Sequence, residues 1–280
     1  MSSDWSSLHR RGFVGSAVSV LGLLLLAPPV GLLDASAADA SRPQHRGESA
    51  KPTIVLVHGA FADGSSWSRV IPILQRDGYT VIAVQNPLVS LENDVQTTKR
   101  VIDAQTGPVV VVGHSYGGAV ITAAAAGSSN VKALVYVAAF APEANEPINA
   151  YLQKYPSLLD TGLRPDAAGF LYIDPAKFRE IFAADVPAQE TRVAAATQKP
   201  INATIFGASP TVAAWKTIPT WYLLTLEDKA LSPDLGRFYA TRMGARITEI
   251  RTSHVPFLSR PQQVARLIEQ AAGANVTAGK

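Results

Sequence analysis

Pro108-Val109-Val110-Val111-Val112-Gly113-His114-Ser115-Tyr116-Gly117-Gly118-Ala119, continued to Ala126 as Val-Ile-Thr-Ala-Ala-Ala-Ala, runs from unbroken valine through a glycine turn into an alanine-rich stretch. Four consecutive valines suit a strand covered on both faces. Gly113 and Gly117 leave room where a sharp turn brings backbone against backbone. Ser115 stands at that turn, in the strand-turn-helix setting that a G-x-S-x-G nucleophile turn requires. Without that setting a short Gly/Ser motif reads as a flexible turn, so the rest of the chain must supply a base, an acid and oxyanion donors.

Upstream, Thr53-Ile54-Val55-Leu56-Val57 is a second buried-type strand, ending in His58-Gly59-Ala60-Phe61. Asp63-Gly64-Ser65-Ser66 is turn chemistry, and Trp67, Val70, Ile71 and Leu74 then keep helical spacing as far as Gly78. Tyr79 to Val84 reads as a strand, and Ser90 caps a helix whose face is Leu91, Val95, Thr98 and Ile102, ending at Gly107. Downstream of the turn, Val131 to Val137 is a fourth strand. Strict β-α alternation over this span predicts a parallel, doubly wound α/β sheet with right-handed crossovers.

The alternation breaks between Pro142 and Pro219, where prolines at 147, 156, 165, 175, 187, 200 and 210 cut the chain into short pieces. Asp174-Pro175 starts one helix through Ala184, and Val186-Pro187 starts another through Gln198. An insertion of this kind lies over strand ends, so residues 142–218 are expected to form a helical cap. The strand type resumes at Thr220 to Leu226 and ends at Glu227-Asp228. Ser232-Pro233 opens a helix to Met243, Arg246 to Arg251 is a sixth strand, and Pro261 opens a last helix closed by Gly273. The expected domain spans residues 52–275 around a six-stranded, mostly parallel sheet.

At 280 residues the chain can bury a large core, and an apolar content of 47% is incompatible with general disorder. Its formal net charge of +3 is not gathered into a basic run, so no nucleic-acid or anionic-membrane partner is expected. The absence of cysteine removes disulfides, thiolate metal sites and a cysteine nucleophile. Arg10-Arg11 precedes an apolar stretch from Phe13 to Leu33, followed by small residues at Ala35, Ala37, Ala38 and Ala40. Residues 1–40 read as an export signal similar to the bacterial twin-arginine type, cleaved after Ala37 or Ala40, with residues 41–51 as a linker. The mature protein is then expected in the periplasm or outside the cell, without a stable membrane anchor.

A serine hydroxyl needs a base, and the chain holds five histidines. His9 lies in the expected signal and His45 in the linker. His114 adjoins Ser115 in a tight turn, where neighbouring side chains point apart, and His58 occupies a strand exit wanted for oxyanion geometry. His254 remains, placed after the last strand at the carboxyl edge of the sheet. The acid belongs between Ser115 and His254 at a strand exit. Asp228 fits, Glu227 or Asp234 would serve if the strand ended a residue differently, and Glu143 lies at the fourth strand's exit. Backbone N–H groups of Tyr116 and Ala60, with Phe61 as a near alternative, are the expected oxyanion donors.

Several pieces together carry a family resemblance: Leu56-Val57-His58-Gly59-Ala60-Phe61, Gly64-Ser65-Ser66-Trp67, Gly113-His114-Ser115-Tyr116-Gly117-Gly118, Asp228-Lys229-Ala230-Leu231-Ser232-Pro233 and Ser253-His254. From Thr53 to Ala272 the chain resembles the α/β-hydrolase fold, in the branch of small capped esterases, plant methylesterases and hydroxynitrile lyases. The resemblance implies Ser115 as nucleophile, His254 as base and Asp228 as acid, with Ala60 and Tyr116 as oxyanion donors. Lyases of this branch usually carry Lys after the catalytic His and Thr in the oxyanion loop. Val255 and Ala60 stand there instead, which disfavours cyanohydrin cleavage. Ser115 argues against the dehalogenases and epoxide hydrolases of the fold, which use Asp as nucleophile.

The expected activity is hydrolysis of small to medium apolar carboxylic esters through an acyl-enzyme, with water as second substrate. A ligand-binding member without turnover, or acyl transfer to an alcohol or peroxide, is the alternative. Phe61, Tyr151, Phe170, Tyr172, Phe182 and Trp215 are the candidate pocket residues, with Tyr155 and Phe178 also available. No ligand-spaced His/Asp/Glu cluster, phosphate loop or dinucleotide fingerprint occurs, so no metal or cofactor is expected.

Overall fold

The computed structural model describes residues 51–274. The expected export signal at 1–40, the linker at 41–51 apart from its last residue, and the expected domain end at 275 lie outside the described residues. The chain enters the sheet at β1 (Thr53–Val57), whose apolar residues are fully buried, and makes a single 3-10 turn over Gly64–Trp67. The α-helix α1 starts only at Ile71 and runs to Arg76, later than the Trp67 spacing predicts. Pro72 explains the delay: lacking an N–H, it suits a first helical turn, where that donor has no intrahelical partner.

Next come β2 (Val81–Val84), α2 (Leu91–Asp103), β3 (Val109–His114), α3 (Tyr116–Ala124) and β4 (Val131–Val137). Ser90 caps α2 as expected, its side chain accepting from the Asn93 N–H. The buried face of α2 is Leu91, Asp94, Thr98 and Ile102, so a carboxylate takes a core-facing position where Val95 was expected.

Between β4 and the next strand of the main sheet lie α4 (Leu159–Gly162), β5 (Leu163–Pro165), β6 (Phe170–Ile173), α5 (Pro175–Phe182), α6 (Ala188–Thr197) and β7 (Ile201–Asn202). The two helices anticipated around Asp174-Pro175 and Val186-Pro187 are present. A purely helical insertion is not: β5, β6 and β7 form a small antiparallel sheet. Asp166 turns the β5–β6 hairpin by accepting from the Ala168 and Phe170 N–H groups at 2.9 Å, with Gly169 at φ 81°.

The chain then returns through β8 (Thr220–Thr225), α7 (Pro233–Arg242), β9 (Arg246–Ile250), α8 (Pro256–Ser259) and α9 (Pro261–Ala274). The main sheet is six-stranded, in the order β2-β1-β3-β4-β8-β9, with every neighbouring pair parallel. Because β3 and β4 sit in its middle, Val109–Val112 and Ala133–Val137 are fully buried, as the unbroken apolar runs require. The parallel pairing brings the exits of β1, β3, β8 and β9 to one edge.

Candidate active site

The turn after β3 is held open to nothing larger than glycine. A Cβ on Gly117 would lie 2.6 Å from the His58 carbonyl oxygen and 2.7 Å from that of Val57. One on Gly113 would lie 2.6 Å from the Gly117 carbonyl. This packing forces Ser115 to φ 51° and ψ −123°, a conformation that costs a non-glycine residue about 1–3 kcal/mol. The strain is held by the Ser115 N–H donating to Val137 O at 3.1 Å and by its carbonyl accepting from Gly118 N at 3.0 Å and Phe140 N at 3.1 Å.

Beyond β8, Asp228 is caged. Its Oδ1 accepts from the Ala230 and Leu231 N–H groups at 2.8 and 2.9 Å, and its Oδ2 from the Thr225 hydroxyl at 3.0 Å. The same Oδ2 lies 2.7 Å from Nδ1 of His254. An acceptor so placed draws the imidazole proton to Nδ1 and leaves Nε2 with a free lone pair. Of the other acids weighed, Glu227 pairs with Arg251 at 3.1 Å, Glu143 pairs with Lys216, and Asp234 sits in the first turn of α7. His254 is tied to the serine turn through its own carbonyl, which accepts from His114 Nε2 at 2.9 Å. The two imidazole rings pack 4.7 Å apart. Ser115, Asp228 and His254 are 6%, 5% and 2% exposed, so all three are largely buried.

Two peptide planes next to the serine turn are fixed by hydrogen bonds to their carbonyls. The Ser115 carbonyl is pinned by its two donors, and a trans peptide then sends the Tyr116 N–H the opposite way. The Gly59 carbonyl accepts from His58 Nδ1 at 2.9 Å, which fixes the Ala60 N–H in the same manner. Gly59 lies directly over the serine: a Cβ there would be 2.7 Å from Ser115 Cβ. Phe61 follows at φ 60°, turning the loop away. Among the described residues no acceptor takes the Ala60 or Tyr116 N–H.

Beside these groups is a largely apolar cavity of about 340 Å³, lined by Phe61, Phe178, Phe182, Val255 and Phe257, with Asp63 and Glu190 also on its wall. Phe182 joins the two regions, its ring 4.9 Å from the His254 ring and 6.3 Å from that of Phe61. Of the six predicted pocket residues, Phe61 and Phe182 line the cavity, whereas Tyr151, Phe170, Tyr172 and Trp215 do not. Tyr151 packs at a tilt against Phe238, with ring centres 4.7 Å apart, and Trp215 donates to the Pro142 carbonyl at 3.0 Å; the Arg242 guanidinium lies 5.8 and 5.7 Å from the Tyr151 and Trp215 rings. Phe170 and Tyr172 belong to β6. Aromatic content alone does not separate such packing residues from lining ones. Phe257 also lines the cavity, and its place three residues after His254 is the sequence signal that points to it. No cluster of three or more His, Asp or Glu side chains suited to a metal occurs among the described residues.

A parallel sheet with a strained serine turn and a buried His–Asp pair at its carboxyl edge defines the α/β-hydrolase class. The model of the alpha/beta hydrolase family matches residues 54–267, and the chain belongs to that family. It is 27% identical over 247 residues to the alpha/beta hydrolase nvfD of Aspergillus novofumigatus, covering 80% of this chain and 97% of that one. It is 25% identical to the pyrethroid hydrolase of Sphingobium wenxiniae, covering 79% and 88%. The crystal structure of a pyrethroid hydrolase from Sphingobium faniae superposes with a TM-score of 0.70 at 23% identity, covering 81% of this chain and 99% of that one.

Proposed function

We propose that the protein is a serine carboxylesterase acting on uncharged, mostly apolar esters. The observation that carries this reading is the Asp228–His254 pair, set through His114 against the strained turn that presents Ser115. Ser115 Oγ attacks the ester carbonyl carbon as its proton passes to Nε2 of His254, and Asp228 stabilises the imidazolium that forms. Negative charge gathers on the former carbonyl oxygen, where the Ala60 and Tyr116 N–H groups receive it. Collapse breaks the bond to the alcohol, which leaves with the proton from His254, and the acyl group stays on Ser115. Water then attacks the acyl-enzyme with His254 as base, releasing the acid and restoring the serine.

The cavity beside His254 suits the larger apolar half of the ester, and the carboxylate of Asp63 disfavours an anionic one, whereas that of Glu190 is paired with Arg69 at 2.8 Å. The pyrethroid hydrolase among the relatives supports hydrolysis as the reaction class. Ser115→Ala, with an unchanged circular dichroism spectrum, is expected to abolish release of p-nitrophenol from p-nitrophenyl acetate. Turnover at the wild-type rate would overturn the proposal.

A further inference from the structure

Two chains of buried hydrogen bonds lead away from the proposed oxyanion donors, and both end on the loop between β2 and α2, Gln85–Ser90. From Ala60 the first passes through the Gly59 carbonyl to His58, whose Nε2 accepts from the Asn86 N–H at 3.0 Å. A backbone N–H can only donate, so Nε2 is bare and Nδ1 carries the proton it gives to Gly59. Burial lowers the His58 pKa to about 4, which keeps this tautomer in place at neutral pH. From Tyr116 the second chain runs through its hydroxyl, which donates to Asp94 Oδ2 at 2.7 Å, while Asp94 Oδ1 accepts from the Leu88 N–H at 2.9 Å. His58, Asn86, Asp94 and Tyr116 are wholly buried.

The far side of the same loop is held by the inserted segment. Lys199, just after α6, donates from Nζ to the Asn86 carbonyl, and the Asn202 N–H of β7 donates to the Leu88 carbonyl at 2.9 Å. Leu88 is held at φ 63°, so the loop is strained where these contacts meet. Each chain thus enters the loop from the insertion on one side and leaves it toward one oxyanion donor on the other. Packing alone does not ask for this: a carboxylate on the core face of α2 is costly unless hydrogen-bonded, and an apolar residue would serve a purely structural face.

We infer that the β2–α2 loop couples seating of the inserted segment to alignment of both oxyanion donors, with Lys199, Asn86 and Asp94 as positioning residues. The inference rests on the serine-esterase reading. When the insertion is seated, Lys199 and Asn202 hold the loop, and the loop holds the Gly59–Ala60 peptide plane and the Tyr116 side chain. Release of the Lys199 contact frees the loop and misaims the donors without touching Ser115, Asp228 or His254. Transition-state stabilisation falls while ground-state binding in the cavity persists.

The test uses the full chain, p-nitrophenyl acetate as substrate and a trifluoromethyl ketone of similar size as inhibitor, because its hemiketal oxyanion needs the same two donors. Lys199→Met is expected to lower kcat about 10-fold, part of the 100- to 1,000-fold typical of losing one donor outright. The ketone should weaken by a similar factor, with KM within about 2-fold of wild type. Lys199→Arg restores both, and Tyr116→Phe reproduces the loss, as does Asp94→Asn if that variant folds by circular dichroism. Wild-type kcat and ketone affinity in both Lys199→Met and Tyr116→Phe would overturn the coupling, as would losses confined to KM or to melting temperature. Ser115→Ala is assayed alongside. An inactive Ser115→Ala beside fully active Lys199→Met and Tyr116→Phe variants overturns the coupling alone, and an active Ser115→Ala overturns the esterase reading.

Discussion

The carboxyl edge of the main sheet and the segment inserted between β4 and β8 differ in what holds them together. At the edge, Ser115 is strained, Gly117 has no room for a methyl group, and Asp228 accepts four hydrogen bonds. In the insertion the packing is mixed: a Cβ on Gly162 would collide with Ile181 Cδ1, one on Gly207 would meet nothing within 4 Å, and partly exposed ion pairs such as Arg164–Asp174 join the pieces. The difference teaches where each property resides. Under the proposed function the reacting groups sit on the tightly packed edge, whereas the cavity wall is shared with α5 and α6 through Phe178, Phe182 and Glu190.

The largest expected effect breaks the edge. Asp228→Asn keeps the shape of the side chain but no longer fixes the proton on Nδ1 of His254, so kcat is expected to fall about 10,000-fold. Steady-state assay with p-nitrophenyl acetate checks this, and a loss under 10-fold would remove Asp228 from the catalytic group. Next is the turn itself. Gly117→Ala places a methyl against two backbone carbonyls and should cost about 3 kcal/mol in chemical denaturation, whereas Gly207→Ala should stay within about 0.5 kcal/mol of wild type. Equal effects at the two glycines would erase the contrast between the regions.

A third effect reads the edge through pH. Burial holds His58 near pKa 4, against 6.5 in the unfolded chain, and pushes His114 well down in the same direction. Below pH 6.5 the unfolded chain therefore takes up protons that the native state refuses, and stability falls with falling pH. For His58 the loss amounts to about 3 kcal/mol by pH 4, where its share levels off. Melting temperatures that stay constant from pH 7 to pH 4.5 would contradict this. The smallest effect belongs to the insertion: Phe182→Ala opens the wall between the cavity and His254. It is expected to raise kcat/KM for bulky esters about 10-fold relative to acetate, with folding retained. An unchanged ratio would place selectivity elsewhere.

The same division explains what could be read from the chain. Unbroken apolar runs such as Val109–Val112 and Ala133–Val137 identified the central strands, because a strand buried on both faces admits little else. Elimination reduced five histidines to His254, and the structure sets that residue against Asp228. The insertion was less legible. Its hairpin hangs on the side chain of Asp166, a turn signal weaker than the surrounding prolines, and its aromatics divide between cavity and packing according to contacts with distant residues such as Arg242. Asp94 escaped for a different reason. Helical periodicity favours apolar residues and points to Val95, whereas the core face of α2 carries the Asp94 carboxylate, and a polar residue in a core stripe is itself a pointer to a built network.

In the proposed mechanism Ser115 is the activated nucleophile. A fluorophosphonate probe, followed by digestion and mass spectrometry, reads this directly. A single adduct is expected on the peptide carrying Ser115, lost in Ser115→Ala and in protein denatured before labelling. An unlabelled Ser115 in active protein, or an adduct on another serine that accompanies activity, would contradict it.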